Sequence, residues 1–271
     1  MKNKIWFIIV IYRPDYPLLR RNLATLAGYP TVIVDNRDDR HYNLATFKKF
    51  KNLTLLDQKA NLGYGGGNNL GSAYALKQGA EWVVILNDDL VLEREAIKQF
   101  ISDLSQTPPG LVGPYRGTLD PKRWTTVFVD QQNQPPNIVL TYLSGSFLAV
   151  HREVIGKLGR LFYEPYFLFY EDAELSMRVK RHGFSLRYQP LDRLEHRASS
   201  STGKGSPLQQ YYLARNHLLF VERNAPPGVR VRELIRLPKT IYEHRQKREK
   251  WALRGIRDYC LRRFGRQKLI I

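Results

Sequence analysis

The sequence predicts an α/β fold: a mostly parallel central sheet flanked by helices, with a basic helical C-terminal extension. Three observations predict it. Apolar runs at residues 5–11, 31–34, 53–56 and 82–86 each give way abruptly to polar residues, as buried strands do when their carboxyl ends share one edge of a parallel sheet. Helical patterns alternate with these runs in units of about 30 residues, the arrangement of βαβ crossovers. From Arg230 to Ile271 there are 14 Lys or Arg against four Asp or Glu, so this segment carries +10 of the chain's +18.

The elements follow in order. Lys2 and Lys4 precede the first apolar run, but Arg13-Pro14-Asp15 stands where a signal peptide would need small residues, so residues 5–11 read as a strand. Leu18, Leu19, Asn22, Leu23 and Leu26 recur at helical spacing until Gly28 and Pro30 end the helix. The glycine-rich run NLGYGGGNN, Asn61 to Asn69, reads as a loop opening a helix through Leu70, Ala73, Tyr74 and Lys77. Glycines there allow close approach of a ligand, and the helix start offers free N–H groups to an anion. EWVVILNDDL, Glu81 to Leu90, reads as a central strand, with a helix after it around residues 93–104. Prolines punctuate the chain from Thr107, and only residues 125–129 there look strand-like, so this stretch reads as a loop or hairpin insertion. Residues 142–150 resume as a strand with a break at Gly145. A helix begins near Glu171 and stops at Gly183, a short strand covers residues 185–188, and Tyr211, Tyr212, Arg215 and Asn216 open another helix. In the tail, Leu253, Ile256, Cys260 and Phe264 recur at helical spacing among arginines. A helix of that kind either lies on an anionic membrane or packs on the domain before it.

Composition narrows the function. The 271 residues, 43% hydrophobic and 25% charged, make an ordinary globular chain. A net charge of +18 attracts polyanions in general. Its concentration in the tail, with carboxylates at the strand ends, argues against nucleic acid as the partner. The single cysteine, Cys260, excludes an internal disulfide framework and a zinc site built from cysteines. No run approaches the roughly 20 apolar residues of a membrane span.

Two acidic motifs carry the chemistry. Asn87, Asp88 and Asp89 stand at the carboxyl end of a buried strand, where open α/β sheets bind ligands. Adjacent carboxylates repel, and a hard divalent cation bridging a ligand's phosphates would relieve them. The plainer reading is a polar turn and helix cap. In FLFYEDAELSMRV, an aromatic cluster runs into Glu171-Asp172, and apolar surroundings lift a carboxyl pKa toward that of a general base. Asp172 or Glu174 could then take a proton from an acceptor hydroxyl; a helix cap is again the plainer reading.

The ordered series VIVDN, NLGYGGGNN, ILNDDL, LSGSFLAVHREV, FYEDAELSMRV, EHR and YYLARNHLLF resembles the family 2 inverting glycosyltransferases, in particular their bacterial rhamnosyltransferase-like branch, over roughly residues 5–224. The resemblance implies a GT-A fold with a Rossmann-like sheet, a nucleotide-diphosphate sugar donor, UDP- or dTDP-linked, and Mg2+ or Mn2+. It places Asp35 at the base, with Tyr12, Asn61, Gly63, Gly66, Asn69, Asn87 and Asp88 bordering the nucleotide. Asp89, the last acid of an Asp-x-Asp motif whose first position is Asn87 here, and His196 would hold the metal. Asp172 would be the catalytic base, with Gly145, Ser146, Glu171 and Arg215 toward the donor sugar or acceptor. Residues 1–225 would form the transferase domain, divided near residue 115 into a nucleotide-binding and an acceptor half, and 226–271 the tail. The implied acceptor is a glycan or lipid-linked saccharide, the implied location the cytoplasm or the inner face of its membrane. A sugar nucleotidyltransferase, which would carry a basic Gly-rich loop after the first strand, and a non-catalytic sugar-nucleotide binder are the competing readings.

Overall fold

A computed structural model of the chain describes residues 4–38, 44–47, 49–129, 140–191, 195–196 and 205–269. Strand β1 (Ile5–Ile11) is apolar on both faces because it lies in the middle of the sheet. It pairs in parallel with β2 (Thr31–Asp35) on one side and β4 (Trp82–Leu86) on the other. Helix α1 (Tyr16–Thr25) connects β1 to β2, opened by Asp15, whose side chain accepts from Leu18 N at 3.1 Å. Strand β3 (Leu53–Asp57) extends the parallel run beyond β2. Helix α2 (Gly63–Lys77) leads into β4, and the short β5 (Leu90–Val91) and helix α3 (Arg94–Leu104) follow it.

The next strands depart from the expected insertion. Within the proline-punctuated stretch, β6 (Gly110–Gly113) is a fully buried member of the main sheet. Four residues with glycine at both ends carry too little pattern to be recognised as a strand. Strands β7 (Arg116–Leu119) and β8 (Thr126–Phe128) form the expected hairpin, and β9 (Tyr142–Leu143) pairs with β7. The expected strand over 142–150 is therefore two. After the turn at residues 144–146, β10 (Phe147–His151) enters the main sheet antiparallel to both β4 and β6. Helix α4 (Arg152–Leu158), helix α5 (Glu171–Arg181) and strand β11 (Ser185–Tyr188) come next. The resulting order is β11-β6-β10-β4-β1-β2-β3, parallel except at β10. It draws strands from both sides of residue 115. Backbone pairing of β12 (Glu195–His196) with β5 sets His196 opposite Leu90.

The glycine-rich run is not a loop. It forms the first turns of α2, against the weak helix propensity of glycine, because the helix lies almost in contact with the sheet. A Cβ on Gly71 would come within 2.5 Å of Ile8 Cγ2, and one on Gly67 within 2.8 Å of Val10 Cγ1. Missing side chains let backbone and sheet meet.

The tail is helical, with a different packing from the one its pattern suggests. After α6 (Pro207–Asn224) come α7 (Pro227–Gln246) and α8 (Lys250–Cys260). The face of α8 that carries Ile256 is turned inward, with Ala252, Gly255 and Ile256 buried. Gly255 sits so close to α6 that a Cβ would lie 2.4 Å from the Tyr211 carbonyl oxygen. Asp258, buried beneath arginines 254, 257 and 263, accepts from Tyr211 Oη at 2.9 Å. Of the residues whose spacing suggested a membrane face, Ile256 is packed inward, Leu253 and Phe264 are half-buried and Cys260 is exposed, so α8 packs on the domain through much of its apolar side. Among the described residues, no helix is long and apolar enough to cross a membrane.

Gly255→Ala places its methyl against backbone that has no room to move, so it should cost about 1–3 kcal/mol in urea unfolding. Gly228→Ala, with nothing within 4 Å of its Cβ, should stay within about 0.5 kcal/mol.

Candidate active site

The turn between β9 and β10 gathers the site. Ser146 O accepts from Asn87 N at 2.8 Å, tying the turn to the end of β4. Gly145 O accepts from Tyr64 Oη at 2.5 Å, tying it to α2. Gly145 N donates to Asp172 Oδ2 at 3.1 Å, tying it to the first turn of α5. Gly145 has to be glycine, since a Cβ would stand 2.8 Å from Tyr64 Oη. Tyr64 is the residue on which the acidic motifs converge: Glu171, Asp172 and Asp89 all raise its hydroxyl pKa, after burial, which raises it most. Sequence patterning missed Tyr64, whose only signal is its place beside Gly63 at the start of α2.

The acids themselves are perturbed as their crowding requires. Burial first and Asp89 second lift Asp88 to about 7. Burial lifts both Glu171 and Asp172, with Asp172 raising Glu171 further. Asp172 is half-buried, with Oδ1 accepting from Ala173 N at 2.8 Å and Oδ2 from Gly145. These bonds favour its charged form and fix its direction. Glu171 is buried, and its Oε2 has no hydrogen-bond partner. Between the two candidate bases the geometry discriminates. Glu174 is fully buried and paired with Arg178 at 3.2 Å and Arg223 at 3.5 Å, so no acceptor reaches it.

Other expected site residues are engaged in hydrogen bonds and close packing within the protein. Asp35, expected at the base, is buried and closed in a fork with Arg37, whose Nε and Nη2 donate to its two oxygens at 2.8 Å each. Arg37 thus engages both of its oxygens. Nearby, Tyr12 Oη donates to Asp38 Oδ2 at 3.2 Å, and Arg266 from the C-terminal segment donates to the same oxygen at 2.7 Å. Asn61 Oδ1 accepts from Gly63 N, and Phe167 O accepts from Tyr64 N. The first two amides of α2 are thus committed within the protein. Gly63 also has φ +74 and no room for a Cβ against Phe167. Gly66 is buried against Leu62. Asn69 bonds the backbone of Phe162 in both directions, at 2.7 and 2.9 Å, so it braces the loop that carries Phe162.

Arg215, expected toward the acceptor, is fully buried in α6. Its guanidinium donates to the carbonyls of Pro165, Tyr166 and Gly265, while Asn216 Nδ2 donates to those of Tyr166, Leu168 and Phe169. The loop they hold contains three non-glycine residues in the left-handed region, Phe167, Phe169 and Tyr170. Each costs on the order of 1–3 kcal/mol and persists only where its surroundings enforce it. Arg215 is a positioning residue: it holds the strained loop that presents Glu171 and Asp172. The backbone of His196 lies beside Leu90, next to Asp89; the expectation for its side chain falls outside the described residues.

A family model, "Glycosyl transferase family 2", matches residues 7–159, more than half of the chain. The chain belongs to glycosyl transferase family 2. The matched span holds Asp89, Gly145 and the main sheet except β11 and the first two residues of β1, and it ends before α5. Among relatives of this transferase, an N-acetylglucosaminyl-diphospho-decaprenol L-rhamnosyltransferase of Mycobacterium tuberculosis is 26% identical over 245 residues, 75% of this chain and 79% of that one. A dTDP-rhamnosyl transferase of Shigella flexneri is 24% identical over 260 residues, 87% and 86% of the two chains. The fold is GT-A. A mannosyltransferase of Pyrobaculum calidifontis, solved with GDP-Man and Mn2+, superposes with a TM-score of 0.56 at 16% identity, over 96% of this chain and 74% of that one. TarS 1–349 of S. aureus in complex with UDP gives 0.54 at 16%, over 86% and 71%.

The raised carboxyl groups set a pH dependence. A folded-state pKa above the unfolded value means stability present at low pH that is lost as pH rises through the folded value. For ligand-free protein, the melting temperature should therefore fall from about pH 5 to about pH 8 through Asp88 and Glu171. Glu171→Gln should flatten that fall and raise Tm at pH 8 by about 2–4 °C, the shift that about 1 kcal/mol makes in a domain of this size. Scanning calorimetry across the range checks it.

Proposed function

We propose that this family 2 transferase moves a sugar, rhamnose from a dTDP donor in the first instance, to a hydroxyl of a lipid-linked saccharide with inversion at the anomeric carbon. The donor and acceptor classes are taken from the names of the two relatives. The observation that supports the mechanism is the position of Asp172: a half-buried carboxylate, aimed by Gly145 and Ala173, which together with Asp89 acts electrostatically on the Tyr64 hydroxyl.

Asp172 accepts the proton of the acceptor hydroxyl as that oxygen bonds to the anomeric carbon. The bond from that carbon to the diphosphate oxygen breaks on the opposite face, and its electron pair leaves with the diphosphate. Burial tunes Asp172 for this task, because a raised pKa makes a carboxylate a better proton acceptor near neutrality. Tyr64 and Gly145 hold the base at a fixed place. Arg215 and Asn216 act behind it, keeping the loop in its strained form.

The acidic residues also fit a divalent cation. Among the described residues, no group of three or more His, Cys, Asp or Glu could hold a metal alone. Mg2+ or Mn2+ bound with a nucleotide usually takes one or two carboxylates and completes its shell with water and phosphate oxygens. Asp89 would supply such a carboxylate, with His196 a second donor. When bound, the ion offsets the charge developing on the departing diphosphate. The partnerless Oε2 of Glu171 and the mutual repulsion of Asp88 and Asp89 are what a nearby cation would relieve.

Asp172→Asn should lower transfer by about 10²- to 10⁴-fold while nucleotide affinity is retained in calorimetry. Full turnover of the purified variant would remove Asp172 from the base role. Asp89→Ala should weaken Mn2+-dependent nucleotide binding, and an unchanged affinity would take it out of the metal site.

A further inference from the structure

Helix α7 wears its apolar residues on the outside. Its inward face is already settled: Val229 and Glu233 are buried, with Glu233 paired to His217 and Arg123. Opposite them, Val231, Leu234, Ile235, Pro238 and Tyr242 recur at offsets of three, four, seven and eleven residues, one stripe of an α-helix. Leu234 and Ile235, 70% and 75% exposed, are the most exposed large hydrophobic side chains among the described residues. An apolar stripe of this sort on a soluble surface marks a contact with something else.

The charge around the stripe says with what. Arg230, Arg232 and Lys239 flank it, and Arg245 closes its C-terminal end, all exposed. Lys247, Arg248 and Lys250 continue beyond the helix, also exposed. From residue 226 to 250 no acid is exposed: Glu233 is buried, Glu243 is paired with Arg236 and Glu249 with His244. A second copy meeting this face about a two-fold axis would bring one basic rim against another. A nucleic acid would need cations along the centre of the face, where this helix is apolar.

We propose that α7 is the surface by which the protein docks on an anionic lipid bilayer, lying in the plane of the membrane. Val231, Leu234, Ile235 and Tyr242 enter the boundary between headgroups and acyl chains, and the flanking Arg and Lys pair with anionic headgroups. The assignment falls on the helix next to the one whose pattern suggested it, because α6 covers much of the apolar side of α8 and leaves α7 uncovered. It goes beyond the proposed transfer reaction, since none of the residues of the stripe is among those assigned to the base, the metal or the nucleotide.

Flotation of the full chain with vesicles tests it directly. The wild type should float with phosphatidylcholine vesicles containing about one third phosphatidylglycerol, and far less with phosphatidylcholine alone. Leu234→Asp with Ile235→Asp should lower the floated fraction by about tenfold or more, with Tm unchanged because both side chains are exposed. Transfer to a water-soluble acceptor should be the same in both proteins, so loss of docking and failure of the catalytic reading are told apart. Arg232→Glu with Lys239→Glu should also weaken flotation, most at low salt. Equal flotation of the double aspartate variant, or no flotation of the wild type with anionic vesicles, overturns the proposal. So does light scattering that finds a wild-type dimer and a monomeric aspartate variant, since a second copy would then cover the stripe.

Discussion

Crowded negative charge at the edge of the sheet is the constraint around which this molecule is arranged. Asp88 and Asp89 leave the end of β4, Glu171 and Asp172 open α5, and one tyrosine feels acids from both pairs. Left alone, such a cluster pushes its members toward protonation, as the raised values of Asp88, Glu171 and Asp172 express. A scaffold can keep these groups close only by fixing the segments that carry them. The three hydrogen bonds through the 144–146 turn do this, joining β4, α2 and α5 at Gly145 and Ser146.

The rest of the fold supplies the stiffness behind that turn. Helix α2 can bring Tyr64 in because its glycines let it lie directly on β1 and β2. Helix α6 can hold a loop with three left-handed residues because Arg215 and Asn216 saturate its carbonyls. Helix α8 in turn packs backbone to backbone on α6 at Gly255. A line of close contacts thus runs from the C-terminal helices through α6 to Asp172. The same packing decides which part of the tail is left facing outward.

Much of this was legible in the sequence, and the exceptions share a cause. Strands β1, β2 and β4 were readable because burial on both faces leaves an unbroken apolar run. The acidic motifs were readable because their place after a strand and before a helix is itself informative. Other features were not. Strand β6 is too short, and flanked by too many prolines, for any period to show. The glycine run reads as a loop because the sheet that makes helix the better choice lies far away in sequence. By residue type and place Asp172 and Glu174 look alike in the chain, where the resemblance favours Asp172, and the physical difference comes from Arg178 and Arg223, which close off Glu174. Arg215 and the outward face of α7 depend on which helix α6 covers. Each missed feature is set by a contact between distant segments, which local pattern does not carry.

A cation arriving with a nucleoside diphosphate should drive protons off the crowded carboxyl groups, because it lowers the pKa values that burial and repulsion have raised. Calorimetric titration of the nucleotide with Mn2+ near pH 7, in two buffers of different ionisation enthalpy, measures that release. The account predicts net proton release that requires Mn2+ and diminishes when Glu171 is replaced by Gln. Nucleotide binding that ignores the metal and exchanges no protons would contradict it.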